Sequence, residues 1–204
     1  MFTLAIIAVT VLVSWRAFND QRLLGRLILW PPAVTRNRQY DRLLGYGFIH
    51  ADWTHLLFNM ITLWSFGMQV ERVFSEWISP VGYLLFYLSA VVVSILPTYM
   101  KHQRDPNYRS LGASGGVSAV LFAAILFDPW SKLIIFPIPL PIPAFLFAIL
   151  YVGYSIWMDK KGGDNVNHSA HLAGAAFGVM FMLFMEPQVL NTFLEELMHP
   201  RFGR

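Results

Sequence analysis

The chain has 204 residues, of which 56% are hydrophobic and 13% are charged, and it contains no cysteine. Its mean hydropathy of +0.50 is far from the balance of a soluble globular domain. This composition predicts a membrane protein and excludes disulfides, thiolate catalysis and cysteine-based zinc sites. The net charge of +3 suits anionic lipid headgroups, and no dense run of Lys and Arg interleaved with aromatic residues indicates a nucleic-acid partner.

Several of the apolar segments approach the roughly 20 residues that a helix needs to cross a bilayer. The first lacks a basic leader and a small-residue cleavage site, so we expect a retained span rather than a signal peptide. The whole chain, residues 1–204, is expected to form one membrane domain. The predicted spans are approximately 1–18, 53–70, 81–99, 114–127, 142–158 and 168–185.

The connections between these spans differ in character. Residues 19–52 combine five arginines with Leu and Trp, which favours a structure in the membrane interface over an ordinary solvated loop. Residues 71–76 are expected to form a short polar turn. Residues 128–143 carry proline at alternate positions and are expected to be an extended connector. Residues 159–167 contain two adjacent glycines and predict a flexible loop able to cap a site.

A candidate nucleophile lies where a polar loop meets the fourth span, in the run Gly112-Ala113-Ser114-Gly115-Gly116. Ser114 would occupy the first turn of that helix, where free N–H groups and the helix dipole stabilise developing negative charge. Such a position suits acyl-transfer chemistry. A cluster of small residues can also simply let two membrane helices approach closely, and for an isolated cluster this is the commoner explanation.

The second span carries polar side chains. His55 and Asn59 are four residues apart and share one helical face, and His50 stands just before the helix. Polar groups at membrane depth are costly and usually face the bundle interior, where they are functional. A histidine bonded to a neighbouring backbone carbonyl is the structural alternative.

The sixth span carries a candidate base, because its spacing puts His171, Gly174 and Gly178 on one face. Glycines there let another helix come close, so a contact between Ser114 and His171 is physically reasonable. A neutral histidine within about 2.6 to 3.2 Å is the usual base for a serine hydroxyl. No Asp or Glu lies inside the second, fourth or sixth span, so the pattern predicts a dyad. The donors available to an oxyanion are the Asn59 amide, the His55 ring and the Ser114 N–H.

These residues together resemble the rhomboid intramembrane serine proteases. The run Gly112-Ala113-Ser114-Gly115 is similar to the family's Gly-x-Ser-Gly signature. His50, His55 and Asn59 resemble its second-helix motif, and Ala170-His171-Leu172-Ala173-Gly174 resembles its sixth-helix motif. Each motif alone is weak. Because all three occur in family order within six predicted spans, the match is specific and covers about the whole chain.

The resemblance implies an all-α membrane protein, a six-helix rhomboid-like bundle with a long interfacial first loop, and a peptide hydrolase without cofactor or metal. It implies that Ser114 is the nucleophile and His171 the base, with His55, Asn59 and the Ser114 N–H forming the oxyanion hole. The implied partners are the lipid bilayer and single-pass transmembrane proteins, which family members cleave near a helix-destabilising part of the span. The fifth span and the loop after it would be a lateral gate and cap. The implied supporting residues are His50, Gly112, Gly115 and Gly174.

Two positions depart from the family pattern. The first loop usually carries Trp-Arg before the second helix, whereas this chain has Asp41-Arg42. Four residues after the nucleophile many members have a tyrosine that packs against the catalytic histidine. This chain has Ser118 at that position, so the positioning of His171 is the weakest part of the predicted site.

The orientation in the membrane can be predicted in two ways that disagree. Eleven of the fifteen Lys and Arg follow spans one, three and five, on the side that bears the site, and the positive-inside rule would put that side in the cytoplasm. The resemblance implies the reverse. Because a structured interfacial loop counts poorly in this rule, we expect a bacterial-type inner or plasma membrane with the site opening to the extracytoplasmic side.

Two other functions are compatible with parts of the pattern. A metal-binding or transport protein could use His50, His55, His168 and His171 as ligands, although no carboxylate, cysteine or His-Glu-x-x-His run accompanies them. We instead expect His168 to be a water or loop contact at the helix mouth. A catalytically inert rhomboid-like protein could bind membrane clients without cutting them, and Ser118 keeps this alternative open.

Overall fold

The computed structural model describes residues 1–135 and 138–200. Its longer helices are α1 (Phe2–Asn19), α5 (Trp53–Trp77), α6 (Pro80–His102), α7 (Ser114–Phe127), α8 (Ala144–Lys161) and α9 (His168–Met185). The first connection contains α2 (Gln21–Leu27), α3 (Pro31–Asn37), α4 (Arg42–Gly45) and a 3-10 turn (Tyr46–Phe48). Strands β1 (Lys132–Ile135) and β2 (Ile138–Pro143) follow α7, and α10 (Gln188–Met198) follows α9.

This arrangement confirms the prediction of an all-α membrane bundle, apart from one small hairpin. Three helices of the described chain, α1, α6 and α9, are long and apolar enough to cross a membrane, and α7 is apolar but shorter. The fourth and sixth predicted spans have the same bounds as α7 and α9. The count of six spans and the single-domain assignment stay predictions.

The second span is longer than predicted, and the polar turn at residues 71–76 is wrong. Helix α5 continues to Trp77 because Val70 and Phe74 extend its buried stripe by one turn. Glu71 is buried, and its carboxylate accepts the N–H groups of Phe2 at 2.6 Å and Thr3 at 3.0 Å. These bonds to the first turn of α1 satisfy a charge that would otherwise be expensive to bury.

The first connection is ordered and packed, which excludes an ordinary solvated loop for residues 19–52. Leu29 and Val34 are fully buried. The Arg42 guanidinium is buried as well and donates to the carbonyl oxygens of Gly25 at 2.8 Å and Ile28 at 2.7 Å. The arginine that follows the unusual Asp41 therefore ties α2 to α4. The location of this segment in the membrane interface stays a prediction.

The extended connector predicted at residues 128–143 is partly right. Residues 132–135 and 138–143 are extended, but as β1 and β2 they pair antiparallel, with Lys132 opposite Pro143 and Leu133 opposite Ile142. The expectation for Pro137 lies outside the described residues. The loop after α8 begins at Gly162 instead of Asp159, since the helix continues through Lys161.

Helix α7 is the centre of the bundle. Residues 115–126 are all buried, so only its first and last residues reach partial exposure. It packs against α5, α6 and α9. An apolar helix without a polar stripe is expected to be enclosed by neighbours on all sides. Ser114, its first residue, is therefore held at a defined place between α5 and α9.

Candidate active site

A cavity of about 1100 Å³ opens beside the N-terminal end of α7. Its wall includes residues from α5, α7, α8 and α9 and from the loops that precede α7 and α9. Four of the predicted site residues line it: His55, Asn59, Ser114 and His171. The fold thus brings together side chains that are up to 116 positions apart in the sequence (residues 55 and 171).

The approach of α7 and α9 depends on glycines. A Cβ on Gly174 would lie 2.0 Å from the carbonyl oxygen of Gly115, and a Cβ on Gly178 would lie 2.2 Å from that of Ala119. A Cβ on Gly115 would lie 2.2 Å from Ser94 Oγ. No side chain fits at these three positions without displacing its neighbour. This geometry agrees with the packing role expected of Gly115 and Gly174. Because Ser114 and His171 are near neighbours of these glycines in the sequence, both lie next to the contact.

Ser114 and His171 are each partly buried, and both face the cavity. Among the hydrogen bonds of the described residues, none joins the Ser114 hydroxyl to the His171 ring. Catalytic hydrogen bonds are often long in the absence of substrate and tighten in the Michaelis complex. The two residues therefore share a cavity wall, and no hydrogen bond of the described residues joins their side chains.

The candidate oxyanion donors lie on α5 and α7. Asn59 is 7% exposed, and its Nδ2 donates to the His55 carbonyl oxygen at 2.9 Å. This bond uses one amide hydrogen and fixes the side chain, leaving the second hydrogen for another acceptor. Ser114 is the first residue of α7, so its N–H has no partner within the helix.

Gly112 lets the loop before α7 run against the His55 ring. Its φ of +116° is unfavourable for residues with a side chain, and a Cβ there would lie 2.6 Å from His55 Cε1. The Gly112 N–H donates to the Tyr46 carbonyl oxygen at 2.9 Å. Gly112 therefore holds the loop and the imidazole in contact at the cavity wall.

His50, implied above as a supporting residue, lies behind the cavity and not on its wall. The residue is 1% exposed. Its Nε2 accepts the Ala113 N–H at 3.3 Å, and its Nδ1 is 3.0 Å from Ser14 Oγ. The ring also meets His55 edge to face, with 4.9 Å between centroids. His50 thus supports the site by joining α1 to the residue before the nucleophile.

His168 makes the loop contact that was expected of it. It is the first residue of α9, and its Nε2 lies 3.0 Å from Asp164 Oδ2 in the loop that follows α8. The hydrogen bond from His168 holds the pKa of the Asp164 carboxyl below its ordinary value. This pair joins the loop between α8 and α9 to the first residue of α9.

Ser118 makes a side-chain contact with α8 that the sequence did not indicate. Ser118 Oγ lies 2.7 Å from the hydroxyl of Tyr151 on α8, and the Tyr151 ring stacks on His171. A tyrosine therefore does pack against the candidate base, although it comes from another helix. Nothing local to residue 118 could have identified this partner.

The four histidines considered as metal ligands do not form such a site. They lie as two edge-to-face pairs, His50 with His55 at 4.9 Å and His168 with His171 at 5.9 Å between centroids. Over residues 1–135 and 138–200, no three His, Asp or Glu side chains are grouped closely enough to hold one metal ion.

A family model and several known proteins that resemble this chain indicate the same family. Residues 37–188 match the model of the Rhomboid domain. The chain is 33% identical over 181 residues to RHOMBOID-like protein 12, mitochondrial, of Arabidopsis thaliana, covering 81% of this chain and 52% of that protein. It is 32% identical over 187 residues to the human Presenilin-associated rhomboid-like protein, mitochondrial, covering 88% and 47%. Rhomboid protein 1, mitochondrial, of Saccharomyces cerevisiae is 25% identical over 93% of this chain and 54% of its own length. The chain therefore spans about half the length of these relatives.

Proposed function

Because the chain is an integral membrane protein that belongs to the rhomboid family, we propose that it is an intramembrane serine endopeptidase. Protease activity is typical of this family. The observation that carries the proposal is the common cavity: Ser114 and His171 line it together with His55 and Asn59. These are the residue types that acyl transfer requires, brought together by tertiary structure from three helices.

The proposed reaction runs in two stages. His171 takes the proton of the Ser114 hydroxyl as Oγ attacks the scissile carbonyl carbon, and a C–O bond forms while the carbonyl π-electrons move to oxygen. When the tetrahedral intermediate collapses, the C–N bond breaks and His171 gives its proton to the leaving amine. Water then attacks the acyl-enzyme with His171 again as base, releasing the carboxylic acid product and the free Ser114.

The negative oxygen of each intermediate requires donors that are already in place. The Ser114 N–H at the start of α7 is one, and the helix dipole favours negative charge at the same point. Asn59 and His55 supply the others in this proposal. Asn59 is pre-oriented by its bond to the His55 carbonyl, so little rearrangement is needed when charge develops.

The proposed substrates are membrane-anchored proteins with one transmembrane segment. A helix must be locally unwound before its backbone carbonyl can reach a serine, so substrates with a helix-destabilising stretch are favoured. Water is needed for the second stage, and the polar rim of the cavity, which includes Asp52, Asn107, Asp164 and Asn167, supports its entry.

The bacterial-type membrane predicted from the motifs finds no support among the three relatives compared above, since each is named as a mitochondrial protein. The opening of the site to the extracytoplasmic side stays a prediction.

The test is cleavage of a model single-pass substrate by the purified protein in lipid vesicles. We expect Ser114→Ala and His171→Ala each to lower kcat by about 10⁴- to 10⁶-fold, while a chelator has no effect. Ser75→Ala on α5 and the exposed His199→Ala are matched controls that should retain activity.

The outcomes separate the three functions. Loss of cleavage in the two site variants, and in neither control, supports the serine peptidase. A protein that binds the substrate but never cleaves it would favour the inert client-binding alternative. Cleavage that survives Ser114→Ala but stops on addition of the chelator would favour metal chemistry.

A further inference from the structure

One aromatic ring from α8 lies against the candidate base. The Tyr151 and His171 rings are nearly parallel, with 19° between their planes and 6.0 Å between their centroids. The His168 ring also lies beside His171 and meets it edge-on at 76°. Tyr151 thus covers one face of the imidazole while His168 borders its edge.

Tyr151 is itself fixed by contacts on both sides of the cavity. Its hydroxyl lies 2.7 Å from the Oγ of Ser118, which is 4% exposed and stands one turn after the nucleophile. Its ring packs against Phe122 on α7 at 5.6 Å and against Phe147 on α8 at 5.5 Å between centroids. One side chain of α8 therefore bridges the helix of the nucleophile and the helix of the base.

We propose that Tyr151 is a positioning residue for His171 and that Ser118 positions Tyr151. The inference rests on the proposed peptidase function. An imidazole turns easily about its last side-chain torsion, which has broad minima. A flat ring held against one face restricts that rotation and keeps the ring nitrogens directed along the cavity wall. Tyr151 acts on the reaction through His171 and exchanges no proton with the substrate.

The contact also couples the base to α8. Of the 18 residues of α8, only Ala144, Ser155 and Met158 are buried, so this helix is weakly held compared with α7. The ring that stacks against His171 therefore belongs to a helix of which much less is buried than of α7.

The experiment compares four single variants and one double variant of the full chain in lipid vesicles, with a substrate that the wild type cleaves. Tyr151→Leu removes the ring, Tyr151→Phe keeps the ring but loses the hydroxyl, and Ser118→Ala removes the hydroxyl's partner. The control is Tyr154→Leu, one turn further along α8, since Tyr154 is 53% exposed and contacts His168 and not His171.

We expect Tyr151→Leu to lower kcat by about tenfold or more with KM nearly unchanged, because aromatic stacking and ring orientation are lost together. Tyr151→Phe and Ser118→Ala should each lower kcat about two- to tenfold, the value of one hydrogen bond. The double variant Ser118→Ala with Tyr151→Phe should be no worse than either single variant, since both remove the same bond. Tyr154→Leu should match the wild type.

A purely structural role for Tyr151 predicts another pattern, in which all substitutions lower the amount of folded protein and leave the kcat of the folded fraction unchanged. That result would overturn the inference while cleavage by the wild type still supports the proposed function. Additive losses in the double variant would also contradict it. A wild type that cleaves nothing would overturn the proposed function itself, and the positioning role with it.

Discussion

Helices α7 and α8 line the same cavity, yet they are packed in opposite ways. In α7, twelve of fourteen residues are buried, whereas in α8 the buried residues number three of eighteen. Large apolar side chains of α8 such as Ile149, Leu150 and Trp157 are more than half exposed in the isolated chain. An exposed apolar surface of this kind is suited to lipid or to a transmembrane partner.

This difference in burial distinguishes a firmly packed part of the cavity wall from a loosely packed one. The proposed nucleophile, Ser114, needs fixed geometry, and it lies on α7, which its neighbours enclose. The proposed entry of a substrate helix needs a side of the cavity that can yield, and the low burial of α8 makes it the candidate for that side. Tyr151 is the exception, because it places a positioning ring on the weakly held helix. Three changes test this division, in order of expected effect.

The largest effect is expected at the proposed oxyanion donors on α5, of which Asn59 is buried. Asn59→Ala and His55→Ala each remove a proposed oxyanion donor, and we expect kcat to fall by about 10²- to 10³-fold with a small change in KM. Initial rates over a range of substrate concentrations measure this split. The exposed Asn191→Ala on α10 is the control. Variants that raise KM and leave kcat intact would show that these residues bind substrate without stabilising the transition state.

An intermediate effect is expected when a side chain is added at the glycine contact between α7 and α9. Gly174→Ala puts a Cβ within 2.0 Å of the Gly115 carbonyl oxygen, and overpacking of this kind should lower the free energy of unfolding by about 1 to 3 kcal/mol. Gly153→Ala on α8 is the matched control, since its Cβ would meet no atom within 4 Å. That change should stabilise the protein by up to about 1 kcal/mol, because alanine favours helix over glycine. Denaturant unfolding in detergent measures the change in the free energy of unfolding for both variants. Equal changes would contradict the contrast between the tight contact of α9 with α7 and the open surface of α8.

The smallest effect is expected at the loop that joins α8 to α9. Asp164→Asn weakens the contact with His168, and we expect a slight decrease in melting temperature without loss of activity at neutral pH. The pKa of Asp164 is lowered in the folded protein, so its contribution is complete above the ordinary Asp pKa and is lost as pH falls through the lowered value. The difference between wild type and variant should therefore disappear only below about pH 4. Glu195→Gln on α10 is the control, and a difference that is greatest in acid would contradict the assignment.

Much of the fold could be predicted where a helix is decided by its own residues. The bounds of α7 and α9 follow from a polar-to-apolar change at Ser114 and from Asn167, whose side chain accepts the Ala170 N–H at 3.0 Å as a helix cap. The end of α5 could not be predicted in this way. Glu71 reads as a turn residue, and only its bonds to the start of α1 make it compatible with a buried helix.

The site shows the same division. Ser114, His171, His55 and Asn59, which line one cavity, could be singled out from residue type and spacing, while their catalytic roles stay a proposal. The position of His50 behind the wall could not, since it depends on Ser14 from a distant helix. The stacking of Tyr151 on His171 was also missed. It joins residues 20 positions apart on different helices, and neither has a local signal for the other.

The sequence by itself determined which residues carry reactive groups, which helix bears each of them, and that these helices belong in a membrane. These properties follow from residue type and helical periodicity, which act over a few neighbouring positions. Only the tertiary structure decided how close α7 and α9 come, which groups reach the cavity, and which ring supports the base. Those outcomes depend on contacts between distant segments, such as the one at Gly115 and Gly174, where the absence of two side chains sets the distance between helices.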